Sequence, residues 1–255
     1  MLYPRRVHTI GLFHTRRFLM TLPPLPVPLN EMIDHTNLKA SATEDDIAKL
    51  CHEAIQHQFA SVCVNPARVA FCGKIFSSSF LYRPKICSVV DFPFGASTIG
   101  SKAHEASCAV EAGAKEIDLV IDIGALLDRN DTMVSLGIKE VRRIIAPNVT
   151  LKVIIECCYL GNDDQKRNAC WIACDAGADF VKTSTGFGTS GATFEDVRLM
   201  CNAVKRHPNV KVKAAGGIRD LGTALGMIDA GARRLGCSAG VSIMEQYKAT
   251  QNPFA

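Results

Sequence analysis

Several absences narrow the reading of this chain before any motif is considered. Its 255 residues contain no run of about 18 apolar residues, the length a membrane-spanning helix needs, so no membrane partner is expected. It carries 11 cysteines, an odd number, yet no Cys-x-x-Cys pair. Neither Cys157-Cys158 nor Cys170 with Cys174 has a common zinc spacing. No bound metal is expected from these patterns. Most cysteines sit in apolar runs, such as Ser61-Val62-Cys63-Val64 and Ile86-Cys87-Ser88-Val89. There they read as small buried hydrophobes in a reducing, cytoplasmic compartment rather than as a disulfide framework.

A surplus of charge is also missing where it would count. The net charge is +4, but residues 1–30 hold Arg5, Arg6, Arg16 and Arg17 and no acid or lysine. Taking those four from 29 basic residues leaves 25, equal to the 25 acidic ones. A neutral body argues against a nucleic-acid surface, which needs a basic stripe. It leaves room for a small anionic substrate, which needs only a local site.

Residues 1–30 end in Leu22-Pro23-Pro24-Leu25-Pro26-Val27-Pro28. Proline at that density excludes helix and favours an extended, disordered lead-in. Arginine without acid also fits an organelle-targeting segment, the alternative to a plain cytoplasmic extension. The expected division is this extension at 1–30 and one folded domain at 31–255.

From Met32 onward, short β-rich apolar runs alternate with longer segments of helical period. Strands are expected at 32–36, 60–65, 85–92, 116–123, 151–157, 180–184, 210–215 and 233–237. Helices are expected at 43–58, 97–112, 133–145, 163–176, 194–206 and 220–230, with a last one opening after the 236–240 turn. Three helices close on nearly one phrase: Glu111-Ala112-Gly113-Ala114, Asp175-Ala176-Gly177-Ala178 and Asp229-Ala230-Gly231-Ala232. Glycine there suits a positive-φ helix end. Eight βα units favour a closed (β/α)₈ barrel in a single α/β domain. The rival, an open doubly wound sheet, normally carries a glycine-rich turn after its first strand. Here Asn37-Leu38-Lys39 follows instead.

Barrel chemistry sits at the carboxyl ends of the strands. Period-2 alternation sends Glu116, Asp118, Val120 and Asp122 inward and Ile117, Leu119 and Ile121 toward the helices. Lys152 shares a face with Ile154 and Glu156, Lys182 precedes Thr183-Ser184-Thr185-Gly186, and Lys211 shares a face with Lys213. One such lysine alone is ordinarily a solvated strand end. Several inward charges on neighbouring strands call for a site. Two lysines facing one poorly solvated cavity repel, which favours a neutral amine on one of them. A neutral amine is what Schiff-base chemistry uses, and a nearby carboxylate such as Asp118 can move protons.

A second constellation suits phosphate. Gly216-Gly217 leads into a helix start, and Gly236-Cys237-Ser238-Ala239-Gly240 opens the last helix. Glycine turns with free backbone N–H groups at helix starts bind anions at this end of a barrel. Thr185-Gly186 offers a third edge. A lone Gly-Gly turn is commonplace; two on adjacent strands carry more weight.

Taken in order, Ile33-Asp34-His35-Thr36, Cys63-Val64-Asn65-Pro66, Asp91-Phe92-Pro93-Phe94-Gly95, Glu116-Ile117-Asp118, Leu151-Lys152-Val153-Ile154-Ile155-Glu156, Val181-Lys182-Thr183-Ser184-Thr185-Gly186 and Lys213-Ala214-Ala215-Gly216-Gly217-Ile218-Arg219 resemble the deoxyribose-phosphate aldolases. The resemblance runs from about Met32 to Tyr247. It implies reversible aldol cleavage of a small phosphorylated sugar, 2-deoxy-D-ribose 5-phosphate, in deoxynucleoside catabolism, with no metal and no organic cofactor. It also implies Lys182 as Schiff-base lysine, Lys213 as the lysine that tunes it and Asp118 as proton carrier. Thr185, Gly186, Gly216, Gly217, Gly236 and Ser238 would hold the substrate, supported by Asp34, Cys63 and Lys152.

Two positions depart from the family pattern. Ala239 stands where a second serine is common, which removes one hydroxyl donor. Asp122 stands where asparagine is common, and an added carboxylate near the lysines would favour their charged forms. A non-catalytic binding or scaffold protein on the same fold is the alternative, because fold does not fix function. A homo-oligomer is compatible with the sequence.

Overall fold

A computed structural model describes residues 25–79 and 82–251. Eight parallel strands close into a barrel in sequence order. They are β1 (Ile33–Asn37), β2 (Ser61–Val64), β3 (Lys85–Val90), β4 (Glu116–Val120), β5 (Thr150–Ile154), β6 (Phe180–Lys182), β7 (Lys211–Ala215) and β8 (Arg234–Cys237). Around them lie α1 (Glu44–His57), α2 (Val69–Ser77), α3 (Ile99–Glu111), α4 (Ile123–Leu127), α5 (Asp131–Ile144), α6 (Asp163–Asp175), α7 (Phe194–Ala203), α8 (Leu221–Asp229) and α9 (Gly240–Gln251). The expected (β/α)₈ barrel is present.

The helices start where side-chain caps allow. Thr43, Thr98, Asp122, Asn130, Asn162, Thr193 and Asp220 each accept from a backbone N–H of the first turn. Each such cap contributes about 1 kcal/mol to its helix. At α1 the cap is reciprocal, since the Asp46 side chain returns a bond to the Thr43 N–H. Ile47, Leu50, Cys51 and Ala54 then fall on one buried stripe. The Ala-Gly-Ala helix ends behave as expected: Gly113, Gly177 and Gly231 take φ of 115°, 93° and 116°.

The main core lies between the barrel wall and the helices. Outward strand residues such as Ile117, Leu119, Leu151, Val153, Val181 and Val212 are buried with Ile47, Ile138, Val141 and Met200 of the helices. The barrel interior is different in kind, and holds the site.

Three differences from the sequence expectations have physical causes. The strands at 85–92, 116–123 and 151–157 stop early because Asp91 and Glu156 adopt φ of 52° and Asp122 caps α4. Glu156 therefore leaves the face it was expected to share with Lys152. The helices α2 and α4 were not anticipated; α4 has only 5 residues, too few to show a period. The proposed boundary at residue 30 also falls inside the fold. Leu29–Met32 forms a 3₁₀ turn, Leu29 is buried in the core and Leu25 packs against it. The Arg-rich part, residues 1–24, lies outside the described residues.

Candidate active site

Alternation along the strands brings seven charged side chains into the barrel. Lys182 is the last residue of β6, and its Nζ donates to Asp118 Oδ2 of β4 at 2.7 Å. Lys213 of β7, which stands directly beside Lys182 in the strand register, donates to the same oxygen at 2.7 Å. It also donates to Asp34 Oδ2 of β1. Lys152 of β5 reaches Asp118 Oδ1 at 2.9 Å and Glu116 Oε2 at 2.6 Å. Arg234 of β8 closes the ring, with Nη1 2.6 Å from Asp34 Oδ1 and Nη2 3.3 Å from Glu116 Oε1. Gly236 is two residues on from Arg234. A Cβ there would meet Lys213 Cε at 3.1 Å, so the missing side chain makes room for the lysine.

The electrostatics follow from burial and pairing. Burial alone would raise the Asp118 carboxyl, but Lys152, Lys182 and Lys213 together hold it well below its usual value. Burial opposes charge on Asp34 too, and Arg234, Lys213 and Lys152 outweigh it. Burial would discharge Lys213, but Asp118 and Asp34 keep it a firm cation. Lys152 is held charged against burial chiefly by Asp118, Cys87 and Glu116. Four cationic side chains thus face the three carboxylates of Asp34, Glu116 and Asp118. One of the three amines can be neutral while the other two and Arg234 still match the three carboxylates. Lys182 touches a single carboxylate oxygen in this network, whereas Lys152 and Lys213 each engage two or more carboxylates.

Lys182 also opens onto a cavity of about 750 Å³. Its lining includes Thr185, Gly186, Gly216, Gly217, Gly236, Ser238 and Ala239. Every expected substrate-holding residue is therefore on one wall system with the lysine. Asp118, Lys213, Lys152, Asp34 and Cys63 lie beneath it as fully buried support. Asp122 does not join them. Its Oδ1 accepts from Ala125 N at 2.9 Å as the cap of α4, and it borders a separate cavity between α3 and α5.

Among the described residues one trio has donor atoms close enough to consider a metal. Cys63, Cys87 and Asp118 lie within 4.8 Å of one another. The Lys152 ammonium stands 3.2 Å from Cys87 Sγ and 2.9 Å from Asp118 Oδ1, which places a cation against two of the three donors. The trio reads as part of the ionic network. The bond from Cys87 lowers the Cys63 thiol below its usual value, and burial pushes Cys87 well up.

Sequence reasoning missed Arg234, Cys87 and Ser61, whose Oγ donates to Asp34 Oδ1 at 2.7 Å. The signal for Arg234 was available, since parity places it on the inward face with Gly236. A pair that also lines the cavity was missed: His35 Nε2 lies 2.7 Å from Glu53 Oε2.

Known proteins match the chain over most of its length. A family model described as DeoC/LacD family aldolase matches residues 29–246. The chain belongs to the DeoC/LacD aldolase family. It is similar to a deoxyribose-phosphate aldolase of Carboxydothermus hydrogenoformans, 55% identical over 84% of this chain and 93% of the relative. One from Thermococcus gammatolerans is 53% identical with the same coverage. Among solved structures, an aldolase called QR15 superposes with a TM-score of 0.82 at 38% identity, over 90% of this chain and 100% of that one. The tetrameric deoxyribose phosphate aldolase of Aeropyrum pernix gives 0.79 at 32% identity, over 87% and 91%. As a family member the chain is a class I aldolase, a lyase that works through a lysine Schiff base.

Proposed function

We propose that this aldolase cleaves 2-deoxy-D-ribose 5-phosphate reversibly to D-glyceraldehyde 3-phosphate and acetaldehyde, with Lys182 as the nucleophile. The observation that carries the reading is the position of Lys182. It is the cluster amine bonded to Asp118 that also lines the glycine-walled cavity.

In the open-chain sugar the Lys182 amine adds to C1, and loss of water gives an iminium. The proton of the C3 hydroxyl is then removed while the C2–C3 bond breaks. C3 to C5 leave as glyceraldehyde 3-phosphate, and the electron pair of the broken bond remains on the lysine-bound two-carbon unit as an enamine. Protonation at C2 restores an iminium, and water releases acetaldehyde and Lys182. Asp118, held as a carboxylate by its three lysines, carries these protons directly or through a water. Lys213 stays cationic and disfavours a second cation beside it. The turns at 216–217 and 236–240, with Thr185 and Gly186, offer N–H and hydroxyl donors to the phosphate. No step needs a metal or organic cofactor.

Incubating the full chain with the sugar phosphate in excess EDTA, and measuring glyceraldehyde 3-phosphate, tests this. Product should form at the same rate with and without chelator. No product, or loss on chelation reversed by zinc, contradicts the reading. We extend it to a homo-oligomer, supported by exposed Leu127, Met133, Leu136 and Trp171 on α4 to α6. Sedimentation at assay concentration tests that extension, and a monomer would contradict it.

A further inference from the structure

Glu156 is a buried acid that the ionic network does not explain. It is 1% exposed. Unlike Asp34, Glu116 and Asp118, it has no cation at salt-bridge distance among the described residues. Its backbone is left-handed, with φ of 52° and ψ of 67°. A residue with a Cβ adopts that conformation at a cost, so its surroundings must hold it there. The turn has one clear result. It takes Glu156 off the Lys152 face and sets its carboxyl against the segment that follows Lys182. Both oxygens accept from Thr185 N, at 3.2 and 3.1 Å. The Cys158 thiol, 3.7 Å from Oε1, is the other donor.

That segment is a thin partition. Thr185 and Phe187 line the large cavity with Lys182, and they also line a second cavity of about 320 Å³. Glu156 and Gly188 line the second cavity and not the first. A wall with open space on both sides has little packing to fix it, so its hydrogen bonds must do so. Gly188 shows how closely the chain wraps the carboxyl. A Cβ there would meet Glu156 Cδ at 3.4 Å and Cys158 Sγ at 2.6 Å.

The bond also decides which donors the wall has left. Thr185 N–H is spent on Glu156. Thr185 Oγ1 accepts from Phe187 N at 3.0 Å and donates to nothing among the described residues. Gly186 N likewise has no acceptor among them. Gly186 continues the glycine wall, since a Cβ on it would meet Gly216 Cα at 3.7 Å.

We propose that Glu156 is a positioning residue for substrate binding: it holds Thr185 from behind by its N–H, so that the Thr185 hydroxyl and the Gly186 N–H are presented to the sugar phosphate in the Lys182 cavity. The inference rests on the cleavage reading above.

Two variants of the full chain test this. Glu156→Gly keeps the turn, because glycine takes a positive φ without strain, and removes the carboxyl. Glu156→Gln keeps an acceptor oxygen for Thr185 N but cannot carry a proton. In Glu156→Gly, KM for 2-deoxyribose 5-phosphate should rise about tenfold with kcat within about threefold, the scale of one or two hydrogen bonds to substrate. Glu156→Gln should stay within about threefold of the wild type in both constants. An unchanged KM in Glu156→Gly, or a loss confined to kcat, would overturn the proposal and leave Glu156 a turn former. A fall in kcat of about 100-fold in Glu156→Gln would overturn it by making the carboxyl a proton carrier.

Amide hydrogen exchange gives a readout free of activity. Thr185 N–H should be protected in the wild type and in Glu156→Gln, and should exchange at least about tenfold faster in Glu156→Gly. Equal protection in all three would overturn the proposal, and an unprotected Thr185 N–H in the wild type would do so without any variant. Borohydride trapping in the wild type separates the two readings. With no Lys182 adduct, the cleavage reading fails while exchange still judges the hold on Thr185; with the adduct formed and KM unmoved, only the role of Glu156 fails.

Discussion

The same eight strands have two faces built on opposite rules. On the outer face Ile117, Leu119, Leu151, Val153, Val181 and Val212 are buried among helix side chains. On the inner face Asp34, Glu116, Asp118, Lys152 and Lys213 are buried just as deeply, with Lys182 and Arg234 beside them. Asp118 and Leu119 are neighbours in sequence and nearly equal in exposure, yet one is ionised in a network and the other is hydrocarbon. Burial alone therefore does not distinguish scaffold from site. What distinguishes them is whether the buried group has charged partners that hold it in one protonation state.

If that division is sound, the two faces should fail differently. Short of removing Lys182 itself, the largest activity effect is expected from Lys213→Leu. Removing this cation abolishes the repulsion that favours a neutral amine at Lys182 and takes one hydrogen bond from Asp118, so turnover should fall by about 100-fold or more. The deficit should narrow as pH rises, where a reacting amine no longer needs a neighbouring cation to be neutral. A pH-independent deficit would give Lys213 direct work on the substrate instead, and normal turnover would remove it from the mechanism.

On the outer face Leu119→Ala should cost about 2–5 kcal/mol of stability by leaving a cavity in the core. Turnover per folded molecule should be nearly unchanged. Chemical denaturation with activity measured on the folded fraction checks both. A loss of turnover without a loss of stability would blur the two faces.

The inner face should also respond to pH where the outer face cannot. Asp34 and Asp118 titrate below their usual 3.8 in the folded protein. Their contribution to stability is present above that value and is lost as pH falls through their lowered folded values. Lys213 is shifted above its usual 10.5. Its contribution is present below that value and is lost as pH rises through the raised one. Stability should therefore be flat between these limits and decline outside them. Melting temperatures across pH, compared for the wild type and Leu119→Ala, check this. Equal flatness down to pH 2 would contradict the ionic account of the interior.

The smallest effect concerns the cavity rim. Ala239→Ser restores a hydroxyl beside Ser238, and one added hydrogen bond of about 1 kcal/mol should lower KM for the phosphorylated sugar about fivefold. An unchanged KM would show that backbone N–H groups already satisfy the phosphate.

Much of this division was legible in the sequence because strand alternation has a period of two. Parity placed Asp118, Lys152 and Lys213 inward and Ile117 and Leu119 outward, and the Ala-Gly-Ala phrases marked helix ends. Glycine at 216–217 and 236 marked the cavity wall. What was not legible depends on contacts distant in sequence or on local backbone breaks. Arg234 meets Asp34 across 200 positions, and His35 meets Glu53 by the packing of α1 on the barrel. Asp122 looked like one more inward acid, but the strand ends before it and its carboxylate turns to cap α4. Leu29 lay in a proline-rich stretch read as a disordered lead-in, and only tertiary packing shows it in the core.

The central claim is that one inner-face amine, Lys182, forms the covalent bond. Borohydride reduction of the wild type during turnover of 2-deoxyribose 5-phosphate, followed by peptide mapping, tests it directly. A two-carbon adduct on Lys182, with Lys152 and Lys213 unmodified, is the expected result. An adduct on either of those lysines, or no adduct while the sugar is being cleaved, would contradict the account.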